Sequence, residues 1–262
     1  MAEELRTAYH AELDQIRDEI VRLGAMVTEA LPRATEVLLN GDLAEAQRMI
    51  EGDDAFDALS MQIEEHCLRV LALQNPMAAD MRAVVAALKL NSELERSADL
   101  VANICKAVRR MYGLELSPRL RGLIEQMSEE AARLNRLGID AYVESDAALA
   151  AALDDMDDRL DALQADYIQA IFEGHHEGAT LSVQEAVQLA LVGRFYERIG
   201  DHAVNVGEQV QYMVTGWLPE HAGAQRHLLR ESGDPEIARA DSNDAEGAGV
   251  DGGDPAASGD EA

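Results

Sequence analysis

Aromatic residues make up only 4% of this 262-residue chain, cysteines number two, and 22 basic residues face 50 acidic ones. Each shortage excludes something. Cys67 and Cys105, both inside apolar helical patterns, are too few for a disulfide framework or a cysteine-based zinc site. They read as buried free thiols or as a pair. No run reaches 18 apolar residues, and the opening stretch MAEELRTAYHAELDQ is too polar for a signal peptide. A cytoplasmic protein without direct membrane insertion is the expectation. The shortage of positive charge leaves a formal net charge of −28. That repels phosphate, so nucleic acid is not expected as a partner, and neither is unaided adsorption to anionic lipid. Metal ions and basic protein partners remain compatible with it.

Stretches rich in Val, Ile and Thr are few, while apolar residues still reach 47%, enough for a sizeable core. Ala, Leu, Glu, Asp, Arg and Gln dominate, mostly good helix formers, and the fold class is all-α. Apolar spacing predicts six long helices, over about 5–41, 43–74, 78–112, 119–144, 147–172 and 180–214. Pro32 is a candidate kink in the first. Gly41-Asp42 reads as a helix stop followed by a cap, Asn75-Pro76 as a break, and Glu173 to Gly178 as a Gly/His-rich turn. Residues 231–262 hold ten acids, one arginine and six glycines, a net of −9, and read as a disordered acidic tail.

The helices come in two sets of three. Gly41-Asp42 returns as Ser145-Asp146 after 104 residues, and Asp53-Asp54-x-Phe56-Asp57 returns as Asp157-Asp158-x-Leu160-Asp161 at the same offset. Glu95-Arg96-x-x-Asp99 returns as Glu197-Arg198-x-x-Asp201 at an offset of 102, so two residues drop out near the turns at Pro76 and His175. A constant offset broken only at a turn indicates a duplicated three-helix unit. The expected divisions are a first repeat at 5–113, a second at 119–218 and the acidic tail at 222–262.

Carboxylates at i and i+4 project from one helix face and repel each other by about 0.2–0.5 kcal/mol in an isolated helix. Glu95 lies seven residues beyond Leu88 and fourteen beyond Met81, and Glu197 follows Ala190 and Val183 in the same way, so both continue apolar rows. Two readings stand. Arg96 and Arg198 neutralise the aspartates three residues on, on a solvated face. Alternatively Glu95, Asp99, Glu197 and Asp201 supply hard oxygen ligands to a metal ion, one site per bundle. A di-iron bundle would need Glu-x-x-His inside core helices, and the one match, Glu173-x-x-His176, falls at the expected turn. His202, about 100° around the helix from Asp201, reads as a surface histidine, and Trp217 as a packing cap. Walker, dinucleotide, Gly-x-Ser-x-Gly and His-Glu-x-x-His motifs are absent. A hydrolase or oxidase built on the carboxylate pairs, and a purely structural or chaperone-like bundle, are the rival functions.

Leu71-Ala-Leu-Gln-Asn-Pro76 with Ala79-Asp80-Met81-Arg82, then Leu94-Glu95-Arg96-x-x-Asp99, then Tyr196-Glu197-Arg198-Ile199-Gly200-Asp201-His202-Ala203-x-Asn205, resemble the PhoU family over about residues 5–218. The resemblance implies two similar three-helix bundles side by side, commonly self-associating as a homodimer. It implies a non-enzymatic negative regulator of phosphate uptake and of the phosphate-starvation response. Such a protein bridges the ATPase of a phosphate ABC transporter and a sensor histidine kinase, held near the inner membrane by those partners. It also implies metal ions on Glu95 and Asp99 and on Glu197 and Asp201, divalent or trivalent, with Mg, Mn, Fe and Zn all open. The second repeat lacks the Pro and the Asp-x-Arg of the first at its corresponding turn.

Overall fold

The structure is a computed structural model and describes residues 2–74, 76–176 and 181–217. The acidic tail expected at 222–262 lies outside the described residues. The described residues are helical: α1 (Ala2–Asn40), α2 (Leu43–Glu51), α3 (Asp54–Gln74), α4 (Ala79–Arg110), α5 (Pro118–Glu144), α6 (Ala147–His176) and α7 (Val183–Thr215). Five of the six expected helices are continuous, and Pro32 does not interrupt α1. The second is divided at Gly52-Asp53 into α2 and α3. Glycine is the poorest helix former after proline, and the second repeat, which has Met156 at the matching position, keeps α6 unbroken.

The two repeats begin their second helical arm alike. Gly41 (φ +64°) and Ser145 (φ +52°) take the left-handed conformation that ends a helix. Asp42 and Asp146 then accept hydrogen bonds from the first free amides of α2 and α6, at 2.9–3.0 Å. The turn expected at Glu173 begins later, because α6 runs on to His176. Glu173-x-x-His176 is thus the last turn of a helix, with Glu173 ion-paired to Arg119.

Helices α1, α4, α5 and α7 form the middle of the molecule. Helix α3 packs outside α1 and α4, and α6 outside α5 and α7. Across the repeats the helices run antiparallel. Arg17 donates to the carbonyl of Val143 and Asn135 to that of Gly24, aligning α1 with α5. Arg82 meets Met213, Glu93 meets His202, and Arg110 meets Gln188, aligning α4 with α7. Neither repeat owns a core. One cluster joins Leu31, Ile104, Ile124, Leu134, Tyr167 and Tyr196, and the other joins Ile20, Ile63, Leu90, Leu94, Tyr142 and Val210. Each draws on both repeats, so the halves are layers of a shared interior.

Polar groups in that interior are satisfied across helices. Thr35 Oγ1 lies 2.9 Å from the Leu31 carbonyl, 2.7 Å from Ser128 Oγ and 2.6 Å from the Tyr196 hydroxyl. The one Thr35 hydroxyl proton is shared between the Leu31 carbonyl and Ser128 Oγ, and the Tyr196 hydroxyl completes the network. Cys67 and Cys105 are buried free thiols, pushed up by burial to about 12 and about 11.

Candidate functional site

The two Glu-Arg-x-x-Asp motifs sit at one level of the molecule. Because α4 and α7 are antiparallel with Glu93 opposite His202, the turns Glu95–Asp99 and Glu197–Asp201 lie side by side along that pair. Each then meets acids from the neighbouring outer helix. On the first side, Glu95 is half-buried and Asp99 exposed on α4, and Asp53 and Asp57 approach from the α2–α3 corner. Burial, then Asp99 and Asp57, push the Glu95 carboxyl up. Burial, then Asp99 and Asp57, do the same to Asp53, with Lys106 opposing.

On the second side, Asp201 on α7 faces Asp157 on α6, with Asp161 one turn along α6 and Glu197 one turn back on α7. Here the helices are closer. A Cβ on Gly200 would stand 2.3 Å from Asp157 Oδ1 and 2.6 Å from Leu160 Cδ2, so only glycine lets Asp157 lie over the α7 backbone. Gly193 and Gly207, seven residues before and after, admit Tyr167 and the Ala150 carbonyl in the same way. The first repeat has Asn91, Ala98 and Cys105 at these positions. Asp157 is consequently 9% exposed, and burial, then Asp161 and Asp201, push its carboxyl up to about 7. Its Oδ1 has no hydrogen-bond partner, and neither has the buried Oε2 of Glu197, whose Oε1 pairs with Arg194.

The arginines do not neutralise the aspartates as the solvated-face reading requires. Arg96 turns back toward Glu93 at 3.9 Å, and among the described residues no ion pair joins Arg198 to Asp201. Two orphaned carboxylate oxygens beside further aspartates are oxygen donors of the kind a hard cation takes. As the side chains stand, no three or more His, Cys, Asp or Glu residues among those described come close enough together to hold an ion. Closing on one would require rotamer changes, which the exposed Asp57, Asp99 and Asp161 are free to make.

Asp53, Asp57, Asp157 and Asp161 were visible in the sequence as the repeat that holds the 104-residue offset. Their place opposite the Glu-Arg-x-x-Asp motifs was not, because facing across helices depends on packing. His202 is the clearest correction. It is 4% exposed, with Nδ1 2.7 Å from Glu93 Oε2, while Asn205 donates to the same oxygen at 3.0 Å. Burial pushes the Glu93 carboxyl up, but these hydrogen bonds outweigh it and hold the group below its ordinary value. His202 thus points away from the acid cluster and ties the two repeats together. Trp217 is 52% exposed rather than a packing cap. Arg82, from the turn motif, gains a role: its Nε donates to the Met213 carbonyl at 3.2 Å, satisfying an end of α7.

The duplication has a counterpart in known proteins. The PhoU domain family profile matches twice, over residues 20–108 and 124–210. The chain is 32% identical over 216 residues to "Phosphate-specific transport system accessory protein PhoU homolog 1" of Mycobacterium tuberculosis, spanning 82% of this chain and 96% of that protein. It is 32% identical over 212 residues to a PhoU homolog of Xylella fastidiosa, with 80% and 87% covered. Its fold is similar to the crystal structure of the phosphate transport system regulatory protein PhoU from Streptococcus pneumoniae (TM-score 0.74, 26% identity, 80% of this chain and 98% of that one). It is also similar to that of PhoU from Pseudomonas aeruginosa (TM-score 0.73, 26% identity, 80% and 100%). A twofold match to the PhoU domain on a body of two three-helix repeats places this chain in the PhoU family of phosphate-specific transport system accessory proteins.

Proposed function

We propose that this PhoU-family regulator of phosphate transport is a negative regulator of phosphate uptake and of the phosphate-starvation response. It works as an adaptor between the ATPase of a phosphate ABC transporter and a sensor histidine kinase. No described helix is long and apolar enough to cross a membrane, so partner proteins would hold it at the cytoplasmic face of the inner membrane. Each acid cluster, Asp53, Asp57, Glu95 and Asp99 on one side and Asp157, Asp161, Glu197 and Asp201 on the other, would bind a divalent or trivalent cation. The ion would add to the partial neutralisation by Lys106 at Asp53 and Arg194 at Glu197.

The observation that carries the metal reading is that two carboxylate oxygens, Asp157 Oδ1 on α6 and Glu197 Oε2 on α7, are buried and unpartnered. A carboxylate left so costs stability unless protonated or paired with a cation. No histidine among the described residues joins either cluster, since His202 is committed to Glu93 and His66 to Glu19. The acids therefore lack the proton-transfer partner that a hydrolase or oxidase of the Glu-x-x-His kind would use.

Deletion of the gene, followed by measurement of phosphate uptake and phosphate-responsive transcription, tests the regulator. De-repression of both is expected, and unchanged uptake and transcription would end the proposal. Elemental analysis of protein purified without added metal tests the clusters, with Glu95→Gln and Glu197→Gln each expected to lower the bound metal.

A further inference from the structure

The outer face of the α3–α4 hairpin changes character along its length. At the acid cluster Asp57 faces Glu95 and Asp99. Helix spacing carries the same face of α3 onward through Glu64 to Leu68 and Leu71, and the same face of α4 back through Leu88 to Met81. Helices α3 and α4 are antiparallel, aligned by the Asn91 amide donating to Ser60. The two rows therefore match: acidic beside acidic, apolar beside apolar. Leu68 is 51% exposed, Met81 38%, and Met77 in the connecting turn 73%. Leu71 and Leu88 are half-covered beneath them. The result is an exposed apolar strip with methionines toward the turn, ending in carboxylates.

We propose that this face is the docking surface for an amphipathic helix of a partner protein, apolar along one side and basic at one end. Met81 to Glu95 spans fourteen helical residues, about 21 Å, the length of three to four turns of such a helix. Leu68, Leu71, Met81 and Leu88 receive its apolar stripe, and methionine side chains adapt to varied shapes. Glu64 and, when no metal ion is held there, Asp57, Glu95 and Asp99 receive its Lys or Arg residues and so set its direction. Charge selects this occupant. A second copy laid along this face in the same sense would set the Asp57, Glu64, Glu95 and Asp99 end against its own acids, and anionic lipid is repelled by that end for the same reason. The corresponding face of the second repeat is not equivalent. Arg194 stands in its row, where the first repeat has Ser92, and is paired with Glu197.

This inference rests on the adaptor reading above, and its test separates the two. An 18-residue fluorescent helical peptide carrying Leu at i, i+4 and i+7 and Arg at its far end is titrated with the full chain in EDTA. Binding that falls tenfold or more in Leu68→Glu and Met81→Glu, with unchanged thermal midpoints, is expected. A scrambled peptide of the same composition should bind at least tenfold more weakly than the ordered one. Equal binding of the scrambled peptide, or no loss in either variant, overturns the surface. In cells the Leu68→Glu/Met81→Glu double variant should de-repress phosphate uptake at normal protein level. De-repression by deletion but not by this variant would reject the docking face and leave the regulator intact. No effect of deletion would reject the regulator itself.

Discussion

Replacing Asp157 by asparagine should make the metal-free protein more stable at pH 8, and hardly change it at pH 4. Asp157 is buried against the α7 backbone among Asp161, Asp201, Asp154 and Asp158, and its carboxyl is raised from 3.8 to about 7. The native state thus holds a proton that the unfolded chain releases near pH 4. Between about pH 4 and pH 7 the native state binds more protons, so this group makes stability fall as pH rises, and the fall levels off above about 7. Three units at 1.36 kcal/mol each put the full effect on the order of 4 kcal/mol. For a body of this size that is a shift of about 8–16 °C in thermal midpoint. Asparagine keeps the shape and cannot ionise. Urea unfolding followed by far-UV circular dichroism in EDTA, at pH 4, 6 and 8, gives the difference between variant and wild type. A difference that grows with pH in favour of the variant is expected. A constant difference across the range, or a less stable variant at pH 8, would refute the claim that Asp157 is a buried, uncompensated acid.

Four other substitutions test the packing. Gly207→Ala places a methyl 2.7 Å from the Ala150 carbonyl and 2.8 Å from Leu153, and should destabilise by about 1–3 kcal/mol less the helix-propensity gain of about 1 kcal/mol. Gly122→Ala, with nothing within 4 Å, should stabilise slightly in the same chemical unfolding assay. Thr35→Val leaves the fully buried Tyr196 hydroxyl without its partner and should cost about 1–3 kcal/mol, part of which a Tyr196→Phe second change should restore. Glu93→Gln should cost about 1.5–3 kcal/mol at neutral pH, because it removes the charged partner of His202 and Asn205. Glu93 has a lowered carboxyl, so its contribution is present above the ordinary carboxylate value and is lost as pH falls through the lowered one. The two proteins should therefore converge in acid unfolding.

Composition and spacing were enough for the helices, for the duplication and for the pair of motifs at Glu95 and Glu197. These depend on local periodicity and on register, which a chain carries in its own order. The caps at Asp42 and Asp146 were legible at the first repeat's Gly41-Asp42 for the same reason. What needed the tertiary structure was every relation between helices. His202 reads as a surface residue from its angle on α7, and only the antiparallel approach of α4 brings Glu93 to it. Asp53 and Asp157 read as marks of the repeat. Packing of α3 on α4, and of α6 on the Gly193-Gly200-Gly207 row of α7, turns them into members of two acid clusters. The same packing makes the duplicated sites unequal: Gly200 admits Asp157 to a buried position that Ala98, at the matching place, does not offer to Asp53. Helical spacing determines which residues share a face, whereas the depth of each acid depends on how closely a second helix can approach that face.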